Sequence, residues 1–115
     1  MVIKIVSYQF GRMNIDGREY SSDLIIFPGR VEENWWRKEG HKLLKEDLAE
    51  IVKARPKVLI VGTGYAGLMK IPKETEDFLR LQGIELIAEP TKKAVEHYNE
   101  LSRTKRVVAA FHLTC

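Results

Sequence analysis

The sequence predicts an α/β protein: a single three-layer domain over residues 1–115, in which an N-terminal β-hairpin or meander is followed by an αβαβαβ unit with a largely parallel sheet. Three observations carry this. Apolar runs rich in Val and Ile (KVLIV, IELIA, RVVAAFHL) recur through the second half of the chain. Segments with apolar residues at helical spacing precede and separate them, an alternation that favours parallel strands joined by crossover helices. The N-terminal part instead places Val- and Ile-rich stretches on either side of an Asp16-Gly17 turn pair, the pattern of antiparallel strands.

Taken in order, Val2 to Tyr8 reads as a strand and Arg18 to Phe27 as a second. Pro28-Gly29 breaks the pattern, and RVEENWWRKEGH, with no dominant period, reads as a long ordered connection. Leu44, Leu48, Ile51 and Val52 make one apolar stripe, so a helix is expected from about Leu43 until Pro56 stops it. The buried strand KVLIV follows. A second helix is expected from Pro72 to Gly83, with Ile71, Phe78 and Leu79 inward, and then the strand IELIA. Thr91 is the expected N-cap of a third helix with the stripe Ala94, Val95, Tyr98 and Leu101, and Arg106 to Leu113 is the last strand.

Composition narrows the function classes. With 44% hydrophobic and 30% charged residues and no apolar run near the roughly 20 residues a membrane helix needs, a soluble globular protein is expected. The opening MVIKIVSYQF mixes charge into a strand pattern, unlike a signal peptide, and the single Cys115 can form no internal disulfide, so a cytoplasmic location is expected. A net charge of +3 is too balanced to argue for nucleic acid, and the scattered Lys38, Lys92, Lys93, Arg103, Lys105 and Arg106 read as solvated charges. The bias toward Lys and Glu over Asn and Gln is one met in thermophilic proteins.

Gly62, Gly64 and Gly67 spell GxGxxG directly after an apolar run, the letters of a dinucleotide-binding loop. That loop requires the helix to start within the glycines, so that its first amides face the pyrophosphate. A helix begun at Gly64 would hold Pro72 in its interior, at a cost of about 3 kcal/mol. The helix is therefore expected to wait for Pro72, and the glycines to shape a turn. A phosphate-binding P-loop is excluded as well, because Leu68 and Met69 stand where lysine and a hydroxyl residue are needed. No cofactor is expected.

Four segments, WWRKEGH, LIVGTGYAGLMKIP, the pair TKKAV and HYNEL, and the ending VVAAFHLTC, resemble a small domain family of largely unknown function, the Mth938-like domains, which includes a mitochondrial complex I assembly factor and an adipogenesis-associated cytosolic protein. The resemblance covers nearly the whole chain; the GTG turn, the Tyr98-Asn99 pair and the histidine three residues before Cys115 are its most specific parts. It implies a three-layer α/β fold, no established catalysis, and assembly or regulatory roles exercised through a protein partner.

Two constellations follow. If the last three strands are parallel, Gly62, Thr63, Gly64, Thr91, His112 and Cys115 gather at their carboxyl ends, where open α/β sheets bind ligands, and a small anion or metabolite is the expected occupant. His112 and Cys115 supply two metal ligands where a structural zinc needs four, so no metal is expected; a Cys115 nucleophile activated by His112 is the enzymatic alternative. Trp35 and Trp36 face opposite ways in an extended segment, so one is expected to serve the core and the other, beside Arg37, to anchor a protein interface.

Overall fold

In the computed structural model, which describes residues 2–115, the N-terminal strands both build a layer of their own and extend the main sheet. Met1, the first residue of the expected domain, lies outside the described residues. Strands β1 (Ile5–Gln9), β2 (Arg12–Ile15) and β3 (Arg18–Tyr20) form an antiparallel three-stranded sheet. Asp16 and Gly17 both have positive φ, 52° and 94°, the geometry of a two-residue type I′ turn. Strand β2 is an addition to the expected hairpin, too short in RMNI for its alternation of buried Met13 and Ile15 to stand out.

The strand expected from Arg18 to Phe27 is two strands in two sheets: β3 ends at Tyr20, and β4 (Leu24–Phe27) pairs elsewhere. The break falls where side chains leave the ladder. Ser22 Oγ accepts the Asn34 amide at 2.9 Å, and Asp23 accepts the Leu113 amide at 2.8 Å. Nor is Pro28-Gly29 the start of a connection. It turns β4 into β5 (Arg30–Glu33), a strand hidden from sequence reading because Val31 alone packs against the core.

The main sheet has five strands in the order β5-β4-β8-β6-β7, with β6 (Val58–Thr63), β7 (Glu85–Glu89) and β8 (Val107–His112). β6 runs parallel to both β7 and β8, whereas β4 is antiparallel to β8 and to β5, so the sheet is mixed. Alternate residues of the central strands serve opposite cores. Val58, Ile60, Val107, Ala109 and Phe111 face one cluster, and Leu59, Val61, Val108 and Ala110 the other, which is why these strands read as unbroken apolar runs.

The second cluster is closed by a 3-10 turn (Lys45–Leu48), α1 (Ala49–Lys53) and α2 (Lys73–Leu81), through Leu48, Ile51 and Leu79. The first helix is shorter than expected at both ends. Leu44 is extended at φ −99° and ψ 155°, its amide held by Asp47, and Arg55 turns the chain at φ 51° before Pro56. The first cluster is closed by the three-stranded sheet and α3 (Thr91–Leu101), through Met13, Ile15, Ala94 and Tyr98. Asn99 joins these two: its Oδ1 accepts the Ile5 amide at 3.0 Å and its Nδ2 donates to the Ile5 carbonyl at 2.8 Å, so a side chain pairs with the edge of β1 as a neighbouring strand would. No helix among the described residues is long and apolar enough to cross a membrane.

Candidate functional site

Because β6, β7 and β8 are parallel, their carboxyl ends share one side of the molecule, and Gly62 to Gly64, Thr91 and His112 do come together there. The close approach explains the glycines. A Cβ on Gly62 would lie 2.6 Å from Phe111 Cδ1 and 2.8 Å from Thr91 Oγ1, and one on Gly64, at φ 108°, would lie 2.6 Å from the Cys115 carbonyl oxygen and 2.9 Å from His112 Cδ2. The helix after the glycines starts at Lys73, behind Pro72, so its first turn lies outside the glycine motif.

The polar groups of this turn are joined to one another. Thr91 Oγ1 accepts the Gly64 amide at 2.9 Å and donates to the His112 carbonyl at 2.7 Å, and the Thr91 amide returns to the Gly64 carbonyl at 3.0 Å. The Tyr65 amide donates to the Thr114 carbonyl at 2.7 Å, and the Met69 amide to that of the buried Thr63 at 3.0 Å. Thr91 is thus not an N-cap. Pro90 holds that position, and the threonine hydroxyl, wholly buried, ties the ends of β6 and β8 to the start of α3.

Below the turn lies a buried charge cluster. His112 Nδ1 is 2.7 Å from Asp23 Oδ2, and Arg37 Nη2 is 2.9 Å from the same oxygen and 3.2 Å from Nδ1. Since arginine can only donate, and the shorter contact is to a carboxylate, the proton on Nδ1 is assigned to the bond with Asp23. Arg37 Nη2 also donates to the Gly40 carbonyl at 2.9 Å, while its guanidinium lies 4.6 Å from the Trp35 ring centre. Burial pushes the Asp23 carboxyl upward, but the His112 bond, the Leu113 amide, the His112 charge and Arg37 outweigh it and hold its pKa below the ordinary value. His112 Nε2 and Arg37 Nε and Nη1 are buried with no hydrogen-bond partner among the described residues.

The tryptophans divide as their adjacency requires. Trp35 is half-buried against the second core cluster, and Trp36 is 77% exposed. Arg37, grouped with them as an interface residue, points inward and is 8% exposed. His112 bonds Asp23 and Arg37 rather than Cys115, whose thiol is exposed. His41 stacks edge-on to His112 at 5.7 Å.

Sequence reading passed over two sets of residues. Asp23 carried one signal, being an acid set directly against the apolar LIIF strand. The other set is aromatic: Phe10 and Tyr65 are 55% and 58% exposed with ring centres 5.6 Å apart, Tyr8 is 6.5 Å from Tyr65, and Leu68 is 48% exposed in the glycine turn. Phe10 and Tyr65 come from distant turns that meet beside the last residues of the chain, where the Gly11 amide donates to the Leu113 carbonyl. Tyr8 donates to that same carbonyl at 2.8 Å, and burial pushes its pKa up to about 12.

The fold and the site define a small α/β domain whose central sheet is closed at its carboxyl end by its own turns and chain end, under a rim of exposed aromatics. The chain belongs to the family described as "Protein of unknown function (DUF498/DUF598)", which it matches over residues 5–112. Solved structures agree. It is similar to the conserved hypothetical protein PH1505 from Pyrococcus horikoshii OT3, with 33% identity, 97% of this chain and 99% of that one covered, and a TM-score of 0.84. It is also similar to the protein MT938, at 29% identity, 98% and 99% coverage and a TM-score of 0.81. A Bordetella pertussis protein described as a Mth938-like domain shares the fold at 21% identity, 96% and 85% coverage and a TM-score of 0.69.

Proposed function

We propose that this protein is a cytoplasmic binding module that acts through a protein partner, in an assembly or regulatory role, and that the carboxyl end of its parallel strands is the contact surface. One observation supports this above others: the polar groups of the glycine turn are bonded within the fold, and the side chains left facing outward are Phe10, Tyr65, Leu68 and Trp36. Exposed aromatics of this kind supply binding energy where a partner buries them. The test compares affinity capture from cells of the source organism by the native protein and by the variants Trp36→Ala and Phe10→Ala/Tyr65→Ala. A stoichiometric partner retained by the native protein and lost by either variant is expected; capture unchanged in both variants sinks the reading.

A second reading keeps the small-anion or enzymatic alternative, because Asp23 fixes the His112 ring with Nε2 free. In it, His112 acts as an acid or base toward a metabolite admitted beside Gly64 and Cys115. A metabolite screen by thermal shift tests it, with a ligand whose shift disappears in His112→Ala expected.

A further inference from the structure

We propose that the opposite end of the sheet, where the parallel strands begin, docks an acidic segment of the partner: a short run of Asp or Glu carrying one aliphatic anchor. This rests on the binding-module reading and adds to it the chemistry of what is bound. Three hollows lie at this end, each bordered by cations. Lys53, Arg55 and Lys57 border one, Lys4 and Arg103 a second, and Lys105 and Arg106 a third of about 200 Å³ whose walls include Val2, Ile3, Pro28 and Val107. The second and third adjoin, sharing Val2, Ile3 and Ser102.

None of these seven cations has a carboxylate within 4.0 Å among the described residues; elsewhere Lys38, Lys42, Lys70 and Lys92 also lack one, while Arg12, Arg18, Arg30, Lys45, Lys73, Arg80 and Lys93 are paired, so most of the unpaired cations gather at this end. Helix ends account for part of the charge. The three helices finish at this end, and Arg106 donates through Nε and Nη2 to the Ala54 carbonyl beyond α1. Four acids also lie near: Asp16, which accepts the Lys4 amide, Glu50 one turn before Lys53 in α1, Glu85 at the start of β7, and Glu100 in the last turn of α3. They leave the end basic, with an aliphatic hollow inside the charged rim.

That combination distinguishes the occupant. Nucleic-acid strands are held by cations together with aromatic faces on which bases stack. Here the aromatics, Phe27 and Tyr98, are each 3% exposed, and the large apolar side chain exposed in these hollows is Val2. An aliphatic side chain flanked by carboxylates fits both the hollow and its rim, and the charges around it would steer association.

The test titrates labelled protein, followed by amide chemical shifts, with three probes: a twelve-residue peptide of Glu and Asp with a central Leu, the same peptide with Leu replaced by Ser, and a single-stranded oligonucleotide of equal charge. The Leu peptide is expected to shift the amides of Ile3, Gly29, Ser102 and Val107, to bind more tightly than the Ser peptide, and to lose about tenfold in affinity in Arg103→Glu/Lys105→Glu. Lys4→Glu, a single exposed change, repeats the measurement if the double variant folds poorly. The proposal is overturned by an absence of shifts, by shifts confined to Phe10 and Tyr65, or by tighter binding of the oligonucleotide. Capture of the native partner by Arg103→Glu/Lys105→Glu separates the two ideas. A partner retained there but lost in Trp36→Ala leaves the carboxyl-end reading standing and this one fallen.

Discussion

Thr91 and Gly64 hold each other by two bonds: the Gly64 amide donates to Thr91 Oγ1 at 2.9 Å, and the Thr91 amide donates to the Gly64 carbonyl at 3.0 Å. The hydroxyl continues to the His112 carbonyl, so one side chain fastens α3 to the ends of two parallel strands. Thr91→Val keeps the shape and removes both hydroxyl bonds, leaving a buried donor and acceptor unpaired. A loss of about 2–4 kcal/mol is expected, with Thr91→Ser recovering most of it. Urea unfolding checks this; equal stability of the Val and native proteins would show the hydroxyl to be idle.

The glycines make a sharper prediction than a cofactor loop would. Gly64→Ala places a methyl 2.6 Å from the Cys115 carbonyl oxygen in a left-handed conformation, so both crowding and backbone strain act. A loss of at least about 2 kcal/mol is expected. Gly29→Ala, also at positive φ but with open space around it, should cost only the backbone part, on the order of 1 kcal/mol. Thermal unfolding of the two variants side by side distinguishes packing from conformation.

How much of this was legible in the sequence depended on whether a residue's role was local. Pro72 delays its helix by its own ring geometry, and the runs of β6 and β8 are apolar because both of their faces are covered; both could be read. The division of Arg18 to Phe27 between two sheets could not, because what decides it is Asp23 meeting His112 across 89 positions of sequence. The edge of β1 is similar: its partner is the side chain of Asn99, far along the chain. That Gly62, Gly64, Thr91 and His112 gather at one edge is readable from the order of the parallel strands, but how they bond to one another is not. The Thr91 hydroxyl turned toward the strands instead of capping, and the aromatic rim came from turns that carry no periodic signal.

The Asn99 side chain predicts a change in association as well as stability. Asn99→Leu removes both bonds to Ile5 and uncovers the β1 edge, where Val6 and Phe10 are exposed. A loss of about 1–3 kcal/mol is expected, together with concentration-dependent self-association, since an unpaired edge is a template for another strand. Light scattering over a concentration series reads the second effect. Asn99→Leu remaining monomeric at all concentrations would confine the residue to a packing role.

The Asp23 cluster predicts acid sensitivity with a definite sign. Its carboxyl is held below the ordinary value in the folded state by His112, the Leu113 amide and Arg37, burial notwithstanding. The unfolded chain, with a pKa of about 3.9, therefore takes up the proton first as pH falls. The contribution of Asp23 is complete above that value and disappears as pH drops through the lower folded one. Asp23→Asn should abolish this part of the profile and be less stable than the native protein at neutral pH, because it leaves Arg37 buried without its carboxylate. Unfolding free energy measured from neutral pH downward checks both statements. Parallel profiles for the two proteins below about pH 4 would assign the acid sensitivity to other carboxylates.

Burial raises Tyr8 and Tyr98 together to about 12, through hydroxyls that donate to the Leu113 and Ile3 carbonyls at 2.8 Å each. Here the sign reverses. The folded protein keeps these protons after the unfolded chain has lost them at about 10, so their stabilisation is full below that value and fades between about 10 and 12. Tyr8→Phe and Tyr98→Phe should each remove part of this alkaline loss while lowering neutral-pH stability by about 1 kcal/mol, the net worth of one hydrogen bond. Absorbance titration of the phenolates in each variant identifies which residue is missing from the late transition. If that transition survives in both single variants at native amplitude, the two hydroxyls are open to solvent and their bonds to the Leu113 and Ile3 carbonyls are looser than their lengths indicate.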